Sequence, residues 1–391
     1  MKILFLLNIG FDRGGPSVHL LQDVIRDALN QGHNVEIILK DTDGSLEKVP
    51  RDLLDNDLFR YTLIKESQKN KKGFVARYLE EFSYALKCKK IYRKNKYDVV
   101  FLQSCNAAIF YILGLKKLKC PIVFNVQDIF PQNLMFSGQL PLAKISYPIL
   151  NKLQQYAYKK SDKIITISDD MKSTISDQGI NANKIEVIYN WSYDDSPILL
   201  DKIPKEHIFD LGMDYEKTNV VYAGNIGKMQ NVEIIAKAAI LSKNDNRIHY
   251  YIIGDGANKS KVCDMINGLD NVTILPMQPS VYAESIYAQA DINIIPLAKG
   301  GIKTALPSKT ATVLRTNSVT LFCIDRDAIF EKMISYSNKI HIVDNSDPKF
   351  LYEKICELHN DNMNYSNNEY VPTIFSTKNA GRYVEILTSR N

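Results

Sequence analysis

The sequence predicts an α/β protein of two doubly wound domains, each an open, mostly parallel sheet covered by helices. Three observations carry this. Short β-branched runs alternate with amphipathic stretches along the whole chain, the pattern of repeated βα units. Several runs are continuously apolar, as strands buried on both faces are. Some open into glycine turns that lead to a helix, at the strand end where such sheets bind ligands. The 391 residues suffice for two or three domains, and 45% hydrophobic with 24% charged residues is a globular composition. No uncharged apolar run is long enough for a membrane-spanning helix.

Met1-Lys2-Ile3-Leu4-Phe5 starts like a secretory leader, but no small-residue cleavage site follows. The stretch runs directly into Gly14-Gly15-Pro16-Ser17, so residues 2–9 read as the first strand. A helix at 18–30 is closed by Gly32, ahead of a strand at 35–40. Strands follow at 98–103, 122–126, 163–168 and 185–189, and Ser168-Asp169-Asp170-Met171 is a helix N-cap signature. The turn-rich Tyr193-Asp194-Asp195-Ser196-Pro197 and the polar stretch to residue 216 divide the chain. Strands then fall at 219–223, 250–254, 272–275, 292–297, 319–324 and 340–343, with a helix at 232–242. The expected domains are 1–200 and 201–375, with a closing helix at 376–391.

Net charge is +5, unevenly placed: residues 65–96 hold eleven Lys and Arg against three Glu. Phe74, Tyr78, Phe82, Tyr84 and Tyr92 are interleaved with them. Three readings suit this stretch: a solvated helix face over an aromatic core, an anionic membrane surface, and nucleic acid. The six cysteines are scattered, without a CxxC pair or a histidine cluster. That speaks against a zinc site or disulfide framework and for a cytosolic compartment. Asp41-Thr42-Asp43 reads as a turn, not a metal signature.

Two turns carry the chemistry. Val220-Val221-Tyr222-Ala223-Gly224-Asn225-Ile226-Gly227-Lys228 is a strand, a glycine loop and a lysine at the expected mouth of a helix. The run 292–297 leads through Lys299-Gly300-Gly301 to Leu306-Pro307-Ser308-Lys309, where a helix should begin. Free backbone N–H groups, a helix dipole and a cation at one point are what a diphosphate requires. Two such turns in one sheet would converge on one anion. In the first domain, Asp128 follows a buried strand in Asn125-Val126-Gln127-Asp128-Ile129-Phe130-Pro131, as a turn cap or as a carboxylate facing a ligand.

Tyr222-Ala223-Gly224-Asn225-Ile226-Gly227, Ile252-Ile253-Gly254-Asp255-Gly256, residues 291–297, Pro307-Ser308-Lys309 and Phe375-Ser376 stand in a familiar order and spacing. With the Gly14-Gly15 turn and the Gly32-His33-Asn34-Val35 stop, they resemble the retaining GT-B glycosyltransferases, family 4-like, in the O-antigen and capsule branch of fucosamine-type transferases. The resemblance implies two Rossmann-like domains facing across a cleft, with the last helix packed back on the first domain. It implies a UDP-sugar donor, an N-acetylated amino sugar, bound mainly by the second domain. The acceptor, a lipid-linked saccharide or other saccharide, falls to the first. Carried onto this chain, the donor-binding positions are Gly14, Gly15, Gly224, Asn225, Gly227, Gly254, Thr304, Pro307, Ser308 and Thr312. Lys228, Lys309 and Asp128 are the catalytic candidates. No cofactor and no metal are expected. With this family in view, the partner of residues 65–96 is an anionic membrane surface rather than nucleic acid, and the protein is peripheral at the cytoplasmic face.

The chain departs from the family pattern in places. Thr304 and Thr312 stand where Glu-x7-Glu is usual. Asn225 and Gln230 or Asn231 replace the usual Arg and Lys, and Gln127 stands nearest to a missing histidine. Trp191, the only tryptophan, is expected as an interdomain packing residue. Without carboxylates placed for double displacement, a front-face transfer assisted by the leaving phosphate is the mechanism implied. The alternatives are a catalytically silent partner subunit and a nucleotide-sugar 2-epimerase, which shares the fold but needs several acid and base groups.

Overall fold

The computed structural model describes residues 1–11, 18–41, 49–65, 74–136, 138, 143–334, 337–361 and 373–389. The chain forms two compact units, unit 1 from residues 1–135, 139–193 and 377–391, unit 2 from 136–138 and 194–376.

Unit 1 contains strands β1 (Lys2–Leu6), β2 (Asn34–Asp41), β3 (Phe59–Lys65), β4 (Val99–Gln103), β5 (Ile122–Val126), β6 (Lys163–Thr166) and β7 (Ile185–Val187). They form one sheet in the order β3-β2-β1-β4-β5-β6-β7, and every pairing is parallel. The order reverses between β1 and β4, so the crevice for a ligand lies at their carboxyl ends. Ile3, Leu4 and Phe5 are all fully buried, because helices cover both faces of β1. One cover is the helix Val18–Asn30, whose Leu21, Val24, Ile25 and Ala28 face inward at helical spacing. Gly32 ends it at φ +78°.

Unit 2 contains β8 (Thr218–Ala223), β9 (Ile248–Ile253), β10 (Val272–Leu275), β11 (Ile292–Pro296), β12 (Val319–Ile324) and β13 (Ile340–Asp344). Their order is β10-β9-β8-β11-β12-β13, again parallel throughout, with the reversal between β8 and β11. Every residue of β8, β11 and β12 is buried, which is why these strands read as continuous apolar runs.

β3 is the strand absent from the expectation. It is an edge strand in which Arg60, Tyr61 and Lys65 are exposed, so it lacks the apolar run that marks the others. Trp191 is also placed differently. It packs inside the core of unit 1, 2% exposed, with its ring 6.0 Å from that of Tyr383 and its indole N–H donating to Asp23 Oδ2 at 2.9 Å. Ser168 caps the helix Asp169–Ser176 by accepting from the Met171 N–H. Gly14, Gly15, Thr42, Asp43 and residues 66–73 lie outside the described residues, and Asp41 closes β2.

Candidate active site

Unit 2 brings its strand ends together through backbone contacts that only glycine permits. At Gly254 (φ +159°), an added Cβ would stand 1.9 Å from the carbonyl oxygen of Gly224, itself at φ +146°. The loops after β8 and β9 therefore touch along bare backbone, joined by Gly224 N–H to Ile253 O and Ile226 N–H to Asp255 O. The loop after β11 joins them through Ala298 N–H to Met229 O, and Asp325 holds it from below by accepting the Gly300 N–H.

Lys309 reaches the end of β8 from this loop. Its Nζ donates to Ala223 O at 2.5 Å and lies 3.9 Å from the centroid of the Tyr222 ring. A Cβ on Gly224 would be 2.7 Å from Nζ, so the ammonium lies directly against the glycine turn. Burial pushes its pKa down to about 7. Of the two cations expected to converge, Lys309 stands at the Gly224 turn. Lys228 is exposed, and its Nζ lies instead by Gly138, where an added Cβ would be 2.7 Å away.

The helical frame differs from the expectation at both turns. After Lys309 the chain makes a single turn, Thr310–Val313, too short to sum a dipole. After Gly227 it makes tight turns, and the helix starts only at Glu233, five residues past Lys228. Asn225 is exposed and donates to Gln230 Oε1 at 3.2 Å, and Gly227 is buried against both. Thr304 is 3% exposed, with its hydroxyl donating to Gly301 O. Thr312 and Pro307 are half-buried and Ser308 is exposed.

Unit 1 has a cavity of about 220 Å³ at its own reversal point. Asn8 and Ile9 after β1, Ser104 to Asn106 after β4, and Gln127 and Asp128 after β5 line it, with Glu81 from the helix Phe74–Tyr92. Asp128 is accessible from the cavity, yet the surrounding protein withdraws enough water to push its pKa up to about 6. Glu81, half-buried, is raised by the same cause, with Lys40 opposing. Behind the cavity runs a chain of amides. Asn125 Nδ2 donates to Gln103 Oε1, Gln127 Nε2 to Asn125 Oδ1, and Asn190 Nδ2 to Gln127 Oε1, at 2.9, 3.2 and 2.8 Å. The Tyr383 hydroxyl adds a bond to Asn125 Oδ1 at 3.2 Å. Sequence reasoning missed Glu81 and this network. Its signal was a polar residue, Gln103 or Asn125, inside an otherwise apolar strand.

Among the described residues no cluster of three His, Cys, Asp or Glu is placed to hold a metal, and no helix is long and apolar enough to cross a membrane.

The sequence matches two family models, Glycosyltransferase Family 4 over residues 13–191 and Glycosyl transferases group 1 over residues 217–361. It is 24% identical over 340 residues to the Pseudomonas aeruginosa protein named "Probable glycosyltransferase WbjE", covering 82% of this chain and 81% of that one. The chain is built as a GT-B glycosyltransferase. The fold agrees with that of the Anabaena protein HepE, solved in complex with UDP, at a TM-score of 0.65 and 14% identity over 99% of this chain and 95% of the other. The UDP-GlcNAc 2-epimerase of Methanocaldococcus jannaschii shares it too, at 0.57 and 14% over 99% of each. Fold alone therefore leaves the chemistry to the strand-end residues.

Proposed function

We propose that this glycosyltransferase moves a sugar, an N-acetylated amino sugar, from a UDP donor to a lipid-linked or other saccharide acceptor, with retained anomeric configuration, in surface-polysaccharide synthesis. The observation that carries the reading is Lys309, its ammonium held against the Gly224 turn at the reversal point of unit 2. A cation and close-packed backbone at that strand end suit a leaving diphosphate, whose charge is greatest as the glycosidic bond breaks. The departing phosphate takes the acceptor proton in a front-face transfer. Asp128, in unit 1, orients the acceptor hydroxyl. UDP in HepE supports the donor class, and the name of an Escherichia coli relative 26% identical over 165 residues, "Putative colanic acid biosynthesis glycosyl transferase WcaI", supports the setting.

The test is turnover of a panel of UDP-sugars on a polyprenyl-diphosphate-linked sugar acceptor, with the anomer of the product read by NMR. Lys309→Ala should weaken UDP binding about 10- to 150-fold, the loss of one charge-assisted hydrogen bond of about 1.5–3 kcal/mol. Absence of turnover together with absence of any UDP-dependent rise in melting temperature would sink the transferase reading. Thr304, buried where a carboxylate is usual, favours a second reading, a catalytically silent partner subunit. That reading takes over if UDP binds and no sugar is transferred.

We further place the protein at the cytoplasmic face of a membrane. Val75, Leu79, Phe82 and Leu86 are exposed along one side of the helix Phe74–Tyr92, and its last turns carry Lys87, Lys89 and Lys90. Apolar insertion with cationic anchoring is how such a helix binds anionic lipid. Sedimentation with phosphatidylglycerol vesicles should fall as salt rises, and Leu79→Asp with Phe82→Asp should abolish it. Binding unchanged by salt or by these substitutions refutes the placement.

A further inference from the structure

The cavity of unit 1 has a legible chemistry. Its wall offers amides, a hydroxyl, a thiol and two carboxylates, and no Lys or Arg is among the residues that line it. An anion entering it meets Glu81 and Asp128, and among the described residues no cation lines the cavity to answer them. Acceptors also outnumber donors. Glu81 receives Asn8 Nδ2 at 3.3 Å and the Tyr111 hydroxyl at 3.5 Å, both at the long end of the range. No ion pair to Glu81 is present among the described residues; Lys40, the nearby cation, pairs with Glu80 at 3.8 Å. Among the described residues, Asn8 Oδ1 and Asn133 Oδ1 are buried without a partner. The donation to Glu81 fixes which end of the Asn8 amide is oxygen. Buried acceptors left without donors are destabilising, and a ligand that is rich in O–H or N–H groups and free of negative charge would satisfy them.

We propose that this cavity takes the acceptor as an uncharged or amino-bearing sugar ring, and that Glu81 selects it by accepting hydrogen bonds from the ring's hydroxyl or ammonium groups. The ligand's role as acceptor rests on the transferase reading above; its chemical class rests on the cavity alone. Sulfated and uronate rings are refused. Glu81 reaches the cavity from a helix and Asp128 from a strand end, so a ring lying between them is held from two sides.

The full-length protein is applied to a glycan array bearing neutral, amino, uronate and sulfated oligosaccharides, with UDP affinity measured in parallel by calorimetry. Neutral or amino glycans should be preferred over acidic ones by about tenfold, and Glu81→Gln should lose about tenfold in glycan binding while keeping UDP affinity. Asn133→Leu, on a different element, should weaken glycan binding as well, which keeps the test open if Glu81→Gln does not fold. A preference for acidic glycans, no glycan binding, or unchanged binding in both variants overturns the inference. Glycan selection as described with no UDP binding supports it and overturns the transferase reading instead.

Discussion

Lys309 is the residue on which donor binding turns, and its environment makes that binding sensitive to pH. Burial brings its pKa to about 7, so the free protein holds a mixture of ammonium and amine near neutrality. A bound diphosphate stabilises the ammonium and raises that pKa. Below pH 7 the charge is already present and affinity is flat. Above pH 7, binding must take up a proton, and affinity falls by up to about tenfold per pH unit until the raised pKa is reached. Calorimetry of UDP binding at pH 8 in buffers of different ionisation enthalpy should show this uptake in the wild type and none in Lys309→Ala; equal uptake in both would assign the proton elsewhere. Gly254 supplies a second prediction at this scale. Its Cβ would sit 1.9 Å from Gly224 O, so Gly254→Ala must push the loops after β8 and β9 apart. The melting temperature should fall, by more than about 1 kcal/mol in stability, and UDP affinity should fall with it.

At the scale of elements, the strand ends show what the sequence made legible. Continuous apolar runs located strands such as β8, β11 and β12, whose residues are all buried, because a parallel strand covered on both faces admits little else. β3 was hidden because an edge strand shares its surface with water. The Gly224 and Lys309 turns were visible as glycine and lysine after a strand. Their partnership through Ala223 O and the Tyr222 ring was not, since it depends on a contact between residues 86 positions apart. The amide chain behind the unit 1 cavity was illegible for the same reason: Gln103 meets Asn125 only once β4 and β5 pair, and Asn190 meets Gln127 across 63 positions. Asn125 makes three of these contacts. Asn125→Leu leaves Gln103, Gln127 and Tyr383 without their partner, and should cost several kcal/mol at about 1–3 kcal/mol per stranded group. Denaturant unfolding measures this. A loss under about 1 kcal/mol would mean that water replaces the asparagine.

At the scale of the molecule, the chain does not complete unit 1 until its last residues. After residue 376 it leaves unit 2, and the helix Asn379–Thr388 closes unit 1. Tyr383, Val384 and Leu387 join the core cluster of β1, the helix Val18–Asn30 and Trp191. Asn379 Nδ2 donates to Tyr189 O at 2.8 Å, and the Tyr383 hydroxyl ends the amide chain behind the cavity. Burying three large side chains contributes about 1.5–3 kcal/mol each, together comparable to the 5–15 kcal/mol that holds a whole domain. A fragment of residues 1–193 should therefore have all seven strands of its sheet and still lack a cooperative thermal transition. Adding a peptide of residues 377–389 should restore that transition, with a midpoint that rises with peptide concentration as mass action requires. Carrying Tyr383→Ala, the same peptide should need at least a hundredfold more, since that truncation removes about 3–5 kcal/mol of packing. If the fragment alone melts cooperatively at the temperature of the full chain, unit 1 does not depend on its closing helix. The cavity floor would then be set by β4 and β5 alone.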